Sequence, residues 1–236
     1  MKKRIWELDA LRGFFIWIIM FIHLSYDLVE LFGVMEPVYP KLYAFQFAWG
    51  GTPFLVIAGI SATLGSHPVK RGLQVIGGGM LCTIATLGMY LVNFAGKGII
   101  IYFGVLHCIG TCMLLWVIFR KCPYYVLGLL GVVLAALGLY FKTLTVSHPY
   151  LILLGLSPES FVSSDYFPLL PNLGYFLVGA MIGKLIYKRK QSLFPRANER
   201  NPVIRFFCFC GRHSLAFYLI HQPVLAGIIW LFLYLI

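Results

Sequence analysis

Apolar residues in this chain gather into long runs separated by short polar stretches. A bilayer core is about 30 Å thick and a helix rises 1.5 Å per residue, so a run of about 20 apolar residues predicts a membrane crossing. Seven runs qualify: 11–32, 47–65, 73–95, 99–119, 124–141, 168–187 and 214–236. The expectation is an all-α polytopic membrane protein: a bundle of seven transmembrane helices in a single membrane-embedded domain, residues 1–236.

The charges between the runs predict an orientation. One side collects Lys2, Lys3, Arg4, Lys70, Arg71, Arg120, Lys121, Lys188, Arg189, Lys190, Arg196, Arg200 and Arg205, with Lys184 and Arg212 at its edge. The other side holds only Lys41, Lys97 and Lys142. Lysine and arginine accumulate on the cytoplasmic face, which predicts a cytoplasmic N-terminus and an outside C-terminus. Residues 188–212 then form a basic cytoplasmic loop facing anionic lipid or an anionic cofactor. Residues 142–167 form the longest outer loop, where the apolar stretch 150–156 is too short to cross and Ser157-Pro158-Glu159 resembles a helix start.

Composition agrees. The chain is 60% hydrophobic and 11% charged, against about 25% charged in soluble domains. Its net charge of +11 follows from the loop charges, and no soluble basic domain exists to bind nucleic acid. Two acids within MKKRIWELDALRG, and no small-residue cleavage site after the run, predict a retained first helix rather than a signal peptide. The six cysteines read as small buried hydrophobes. Cys208-Phe-Cys210 lacks a partner pair at zinc-ligand spacing. Gly77-Gly78-Gly79 and Gly179-x-x-x-Gly183 read as close helix packing.

Ionisable groups inside the runs carry the functional signal, because each costs about 2.5–3.5 kcal/mol to insert. His23, His107 and His221 fall within predicted spans, whereas His67, His148 and His213 read as solvated. A first helix rising from Leu11 puts His23 about 18 Å from the inner face, and a helix descending from Ile99 puts His107 about 12 Å from the outer face. Those depths coincide. His221 lies about 10 Å up, before a kink expected at Pro223.

In RGFFIWIIMFIH, Arg12 and His23 stand eleven residues apart, three turns plus about 20°, so they share a face about 16 Å apart. Asp27 follows His23 at i+4 and Asp9 precedes Arg12 at i−3, extending the stripe. The stripe is expected to face the bundle interior. Arginine grips phosphate as a rigid fork. A histidine in mid-membrane takes a proton from an attacking hydroxyl or amine, and a neighbouring carboxylate orients it. The pattern suits a ligand with an anionic cytoplasmic end and a reactive end within the membrane. It is also met by an Arg12 that snorkels and a His23 that merely bonds a neighbouring helix.

RIWELDALRGFFIWIIMFIHLSYDL resembles the opening of the heparan-alpha-glucosaminide N-acetyltransferase catalytic-domain family. FLVIAGIS, IIIYFGVLHCIGTCMLL, FPLLPNLGYFLVGAMIG and GRHSLAFYLIHQPVL continue the resemblance along the chain. The Arg12–His23 spacing is also similar to the signature of the membrane acyltransferase-3 group. The resemblance implies acyl-CoA donated from the cytoplasm to an acceptor sugar on the far side, with Arg12 holding the donor and His23 as general base or acyl relay. In the lysosomal member the catalytic histidine lies a little beyond the first helix. No histidine occurs here between His23 and His67, so that role falls to His23 or the chemistry differs.

A membrane acyltransferase is therefore the leading expectation: an acetyl-CoA-dependent N- or O-acetyltransferase acting on a sugar or glycan. Arg12 with Lys70, Arg71 or Arg212 engages the donor's anionic groups, His221 joins the donor site, and the thioester reaches His23. His107 with Asp27, Asp165 or Asn172 positions the acceptor. The transition-state oxyanion needs donors, and Ser61, Asn172 and His221 all qualify. The expected partners are acyl-CoA, a glycan, membrane lipid and a second copy in a homodimer, without metal or nucleic acid, in a bacterial inner membrane. A proton-coupled small-molecule transporter is the alternative, since histidine–acid pairs form proton relays, although the chain has no internal repeat. A haem protein ligated by His23 and His107 is the third.

Overall fold

The computed structural model describes residues 5–195 and 201–235, without the side chain of Phe47. Lys2, Lys3, Arg4, Arg196, Arg200 and Ile236 lie outside the described residues. Helices α1 (Trp6–Tyr26), α2 (Pro40–Trp49), α3 (Thr52–Leu64), α4 (Pro68–Leu91), α5 (Val105–Phe119), α6 (Tyr124–Phe141), α7 (Leu169–Ile186), α8 (Pro202–Arg212) and α9 (Ser214–Leu235) follow in chain order. No strand occurs among the described residues; an isolated parallel bridge joins Phe103 and Tyr166.

Among the described residues five helices are long and apolar enough to cross a membrane: α1 with its continuation to Leu31, α4, α6, α7 and α9. With five such helices the chain is an integral membrane protein. The helices in the other two predicted runs are shorter. α3 has 13 residues and α5 has 15, about 20 and 22 Å of rise against a core of about 30 Å. The run 47–65 is broken at Gly50-Gly51, where α2 ends and α3 begins. The run 99–119 becomes helical only at Val105, because Ile100–Gly104 is extended and pairs with 163–167. His107 thus sits in the first turn of α5, about 3 Å from its start, which removes the basis for the common depth of His23 and His107. Ser157-Pro158-Glu159 starts no helix and leads into a turn.

The ends follow local chemistry. α1 continues as a wide turn over Asp27–Leu31 and stops at Gly33, whose φ of +61° is left-handed. α4 begins with Pro68 in its first turn.

By packing, the chain divides into two compact units, residues 1–54 with 190–236, and residues 55–189. The first unit corrects the loop expected over 188–212, whose last part is helix α8. Asn201 caps it by accepting from the Val203 N–H, and Pro202 follows. α8 runs opposite to α1, so closely that a Cβ on Gly13 would strike the Phe207 carbonyl and one on Gly211 the Asp9 carbonyl. Phe14 meets Phe207 and Trp17 meets Phe206, with ring centroids 6.0 and 5.7 Å apart. Ser192 Oγ and the Leu193 N–H donate to the buried Glu7 carboxylate at 2.9 and 2.8 Å, which ties the chain ahead of α8 to the start of α1.

The second unit uses glycine in the same way. α4 and α5 meet at Gly72 and Gly110, α6 and α7 at Gly131 and Gly174, and α3 lies against α7 at Gly59. Small residues permit such backbone approach in membranes. Gly79 carries α4 against the His107 ring.

Candidate functional site

In the first unit the polar stripe of α1 divides into two stations. At the lower one, Arg12 Nη1 donates to Asp9 Oδ1 at 2.9 Å. Gly211 lies against the same turn, which brings α8 and its last residue, Arg212, alongside. Arg212 is exposed and its Nε donates to the Cys208 carbonyl at 3.1 Å.

Three turns higher, His23 and Asp27 face α9. The ring of His23 is 4.9 Å from that of His221, at 64°, and 6.3 Å from that of Tyr218, nearly perpendicular. Asp27 is fully buried, and its Oδ1 accepts from Gln222 Nε2 at 2.5 Å. His221 is 5% exposed. Its Nδ1 stands 2.8 Å from the Tyr218 carbonyl and 3.1 Å from that of Phe217. Carbonyl oxygens only accept, so Nδ1 carries the proton, and in the neutral ring Nε2 is a lone pair. That Nε2 is buried without a partner, as are Asp27 Oδ2 and Gln222 Oε1. An unsatisfied buried polar atom costs about 1–3 kcal/mol, so three such atoms where α1 and its continuation meet α9 make this junction a candidate site.

The second unit holds the remaining predicted residues. Lys70 and Arg71 lie on the exposed first turn of α4. Lys70 lines an open groove of about 780 Å³ with Ser66, His67, Gln74 and Arg120. No side chain caps α4 there, and the bare N–H groups of a helix start favour an anion.

His107, Asp165 and Asn172 surround the paired starts of α5 and α7. Ser164 Oγ and Ser163 Oγ donate to the carbonyls of Ile99 and Ile100, and the Phe167 N–H to that of Phe103. Asp165 Oδ2 accepts from the Val105 N–H at 3.0 Å and so caps α5. His107 Nδ1 accepts from the Gly104 N–H at 3.3 Å, the reciprocal half of a capping box. Its neutral ring therefore carries the proton on Nε2, which is buried and unpartnered. Asn172 Nδ2 donates to the Pro168 carbonyl at 2.7 Å. Outside the spans, Tyr166 donates to the Ile152 carbonyl at 2.6 Å, and burial pushes its pKa up to about 12, so it remains a donor.

Of the oxyanion candidates, Ser61 Oγ donates to the Ile57 carbonyl of its own helix at 2.6 Å. The ring that meets His23 edge-to-face is His221, which the haem expectation did not include. Among the described residues no group of three or more His, Cys, Asp or Glu is placed to hold a metal ion. Sequence reasoning missed Gln222, which donates to Asp27, because an uncharged amide in an apolar run raises no alarm and 195 positions separate the pair. It also missed His67 and Arg120 beside Lys70.

No curated protein and no solved structure matches the chain. The family described as Heparan-alpha-glucosaminide N-acetyltransferase, catalytic, matches it over residues 4–223. These limits take in both stations of α1, the starts of α5 and α7, and the His221–Gln222 turn, so the protein belongs to this family of membrane acetyltransferases.

Proposed function

We propose that the protein transfers an acetyl group from cytoplasmic acetyl-CoA to an amine or hydroxyl of a sugar or glycan on the outer side of a bacterial inner membrane. It does so as one membrane-embedded domain of seven membrane helices, with a cytoplasmic N-terminus and an outside C-terminus. The observation that carries this reading is the α1 stripe: an arginine at one station and, three turns along the same helix, a histidine and a buried carboxylate meeting two polar residues of α9. A donor with a phosphate-rich head and a thioester tail has that polarity.

In this reading Arg12 and Arg212 hold the donor's phosphates, which arginine does as a fork, and Lys70 and Arg71 on the first turn of α4 are further proposed contacts for the donor's anionic groups. His23 and Asp27 stand at the thioester, and His221 lies against the same end of the donor. His107, Asp165 and Asn172 position the acceptor, with His107 Nε2–H as a ready donor. Membrane lipid surrounds the spans, and a second copy completes a homodimer.

Purified protein in nanodiscs with radiolabelled acetyl-CoA, and D-glucosamine or D-glucose as probe acceptor, tests it. Labelled sugar is expected from the wild type, and a folded His23→Ala protein should lose at least about 10²-fold, the scale of acid–base catalysis. Uptake of label into vesicles without any modified sugar would instead favour the proton-coupled transporter.

A further inference from the structure

We infer that His221, rather than His23, is the group that takes the acceptor's proton. This rests on the acetyl-transfer reading and divides the work within it. A general base must present a lone pair where the reacting proton arrives, and it must keep its ring in one tautomer. His221 meets both conditions through its own helix. The carbonyls of Phe217 and Tyr218, one turn back on α9, both receive Nδ1–H, at 3.1 and 2.8 Å. The proton is thereby held on the far side of the ring, and Nε2 is left basic. The ring is 5% exposed, and that nitrogen has no partner in the protein.

The neighbours fix where it stands. The rings of His23 and Tyr218 lie 4.9 and 5.5 Å from it at steep angles. The next residue, Gln222, fastens α9 to the Asp27 carboxylate of α1. Nε2 of neutral His221 has no proton to give, so an oxyanion role does not suit it.

The step balances without any further reagent. The acceptor's amine or hydroxyl loses its proton to His221 Nε2 as its lone pair forms a bond to the thioester carbonyl carbon. The tetrahedral adduct collapses, the carbon–sulfur bond breaks, and the imidazolium returns the proton to the departing thiolate. His23 keeps the acyl-facing position, edge-on to the base.

Two measurements on the full-length protein in nanodiscs decide the matter. With 15N-histidine labelling, assigned by His→Asn variants, His221 should show a protonated Nδ1 and an unprotonated Nε2, and His107 the reverse. A protonated Nε2 on neutral His221 overturns the inference whatever the activity. In parallel, His221→Asn places an amide N–H where Nδ1–H was and removes the base. Acetyl transfer to D-glucosamine should fall by at least about 10²-fold, with melting temperature and acetyl-CoA binding near wild type. Transfer at more than half the wild-type rate rejects the proposal. Should His221→Asn fail to fold, His221→Gln replaces it under the same criteria. A wild type that shows the expected tautomers yet acetylates neither sugar rejects the acetyl-transfer reading instead.

Discussion

The two units present two buried histidines that differ in one respect. On α9, backbone carbonyls take the Nδ1 proton of His221 and leave a lone pair facing outward. At the start of α5, a backbone N–H gives its proton to Nδ1 of His107 and leaves an N–H facing outward. The surroundings follow the same division. Around His221, the Asp27 and Gln222 side chains each keep an unpaired oxygen. Around His107, Asp165, Asn172, Ser163 and Ser164 all find backbone partners. One region withholds hydrogen bonds from its own polar groups, and the other spends them on fixing two helix starts. The proposed reading places reactivity with the first kind and positioning with the second.

The widest separation should appear in activity. His221→Asn, which removes the base, is expected to lose at least about 10²-fold in acetyl transfer. His107→Asn, whose amide oxygen can still accept from Gly104, should lose only about tenfold, the scale of one hydrogen bond to substrate. Equal losses in the two variants would erase the distinction between the regions. Next come the helix seams. Gly13→Val drives a side chain into the Phe207 carbonyl, and about 3 kcal/mol or more of stability should be lost. The loss reads as a lower melting temperature in detergent, with limited proteolysis between α7 and α8 as a check that the first unit opens.

Gln222→Leu removes the donor to Asp27 Oδ1 and should cost about 2 kcal/mol. Gln222→Glu, which sets two carboxyl groups together, should cost more. If both melt like wild type, the α1–α9 junction is not held by this pair. Asp165→Ala strips the cap from α5 at about 1 kcal/mol, and faster hydrogen exchange at Val105 and Leu106 is its local signature. Smallest is Tyr166→Phe, which loses the bond to the Ile152 carbonyl for about 0.5–1 kcal/mol. A stabilised Tyr166→Phe protein would contradict the packing described for that loop.

Much of the architecture was legible because long apolar runs admit few other structures. The helices α4, α6, α7 and α9 lie where hydropathy puts them, and α1 gains only a polar first turn. The failures share a cause, since hydropathy measures burial and is blind to backbone shape. Ile100–Phe103 is as apolar as any span, yet this β-branched and aromatic stretch stays outside the helix, a preference that pattern alone does not separate from helix. Gly50-Gly51 hid a break inside an apolar run. α8 was hidden by its basic residues, although Asn201-Pro202 is a helix-start signal and Gly211 marks its seam with α1. In the site, helical periodicity foretold that His23 and Asp27 share a face. Their partners His221 and Gln222 depended on which helix α1 meets, and no local pattern encodes that.

The paired starts of α5 and α7 bear on how the protein is made. The carbonyls of Ile99 and Ile100 receive their serine donors from residues 65 and 63 positions later. A chain leaving the ribosome exposes the first segment long before the second exists. In the interval those carbonyls have only water or the insertion machinery to bond, since hydrocarbon offers none. The segment before α5 thus gains its side-chain partners only once Ser163 and Ser164, just ahead of α7, have been translated.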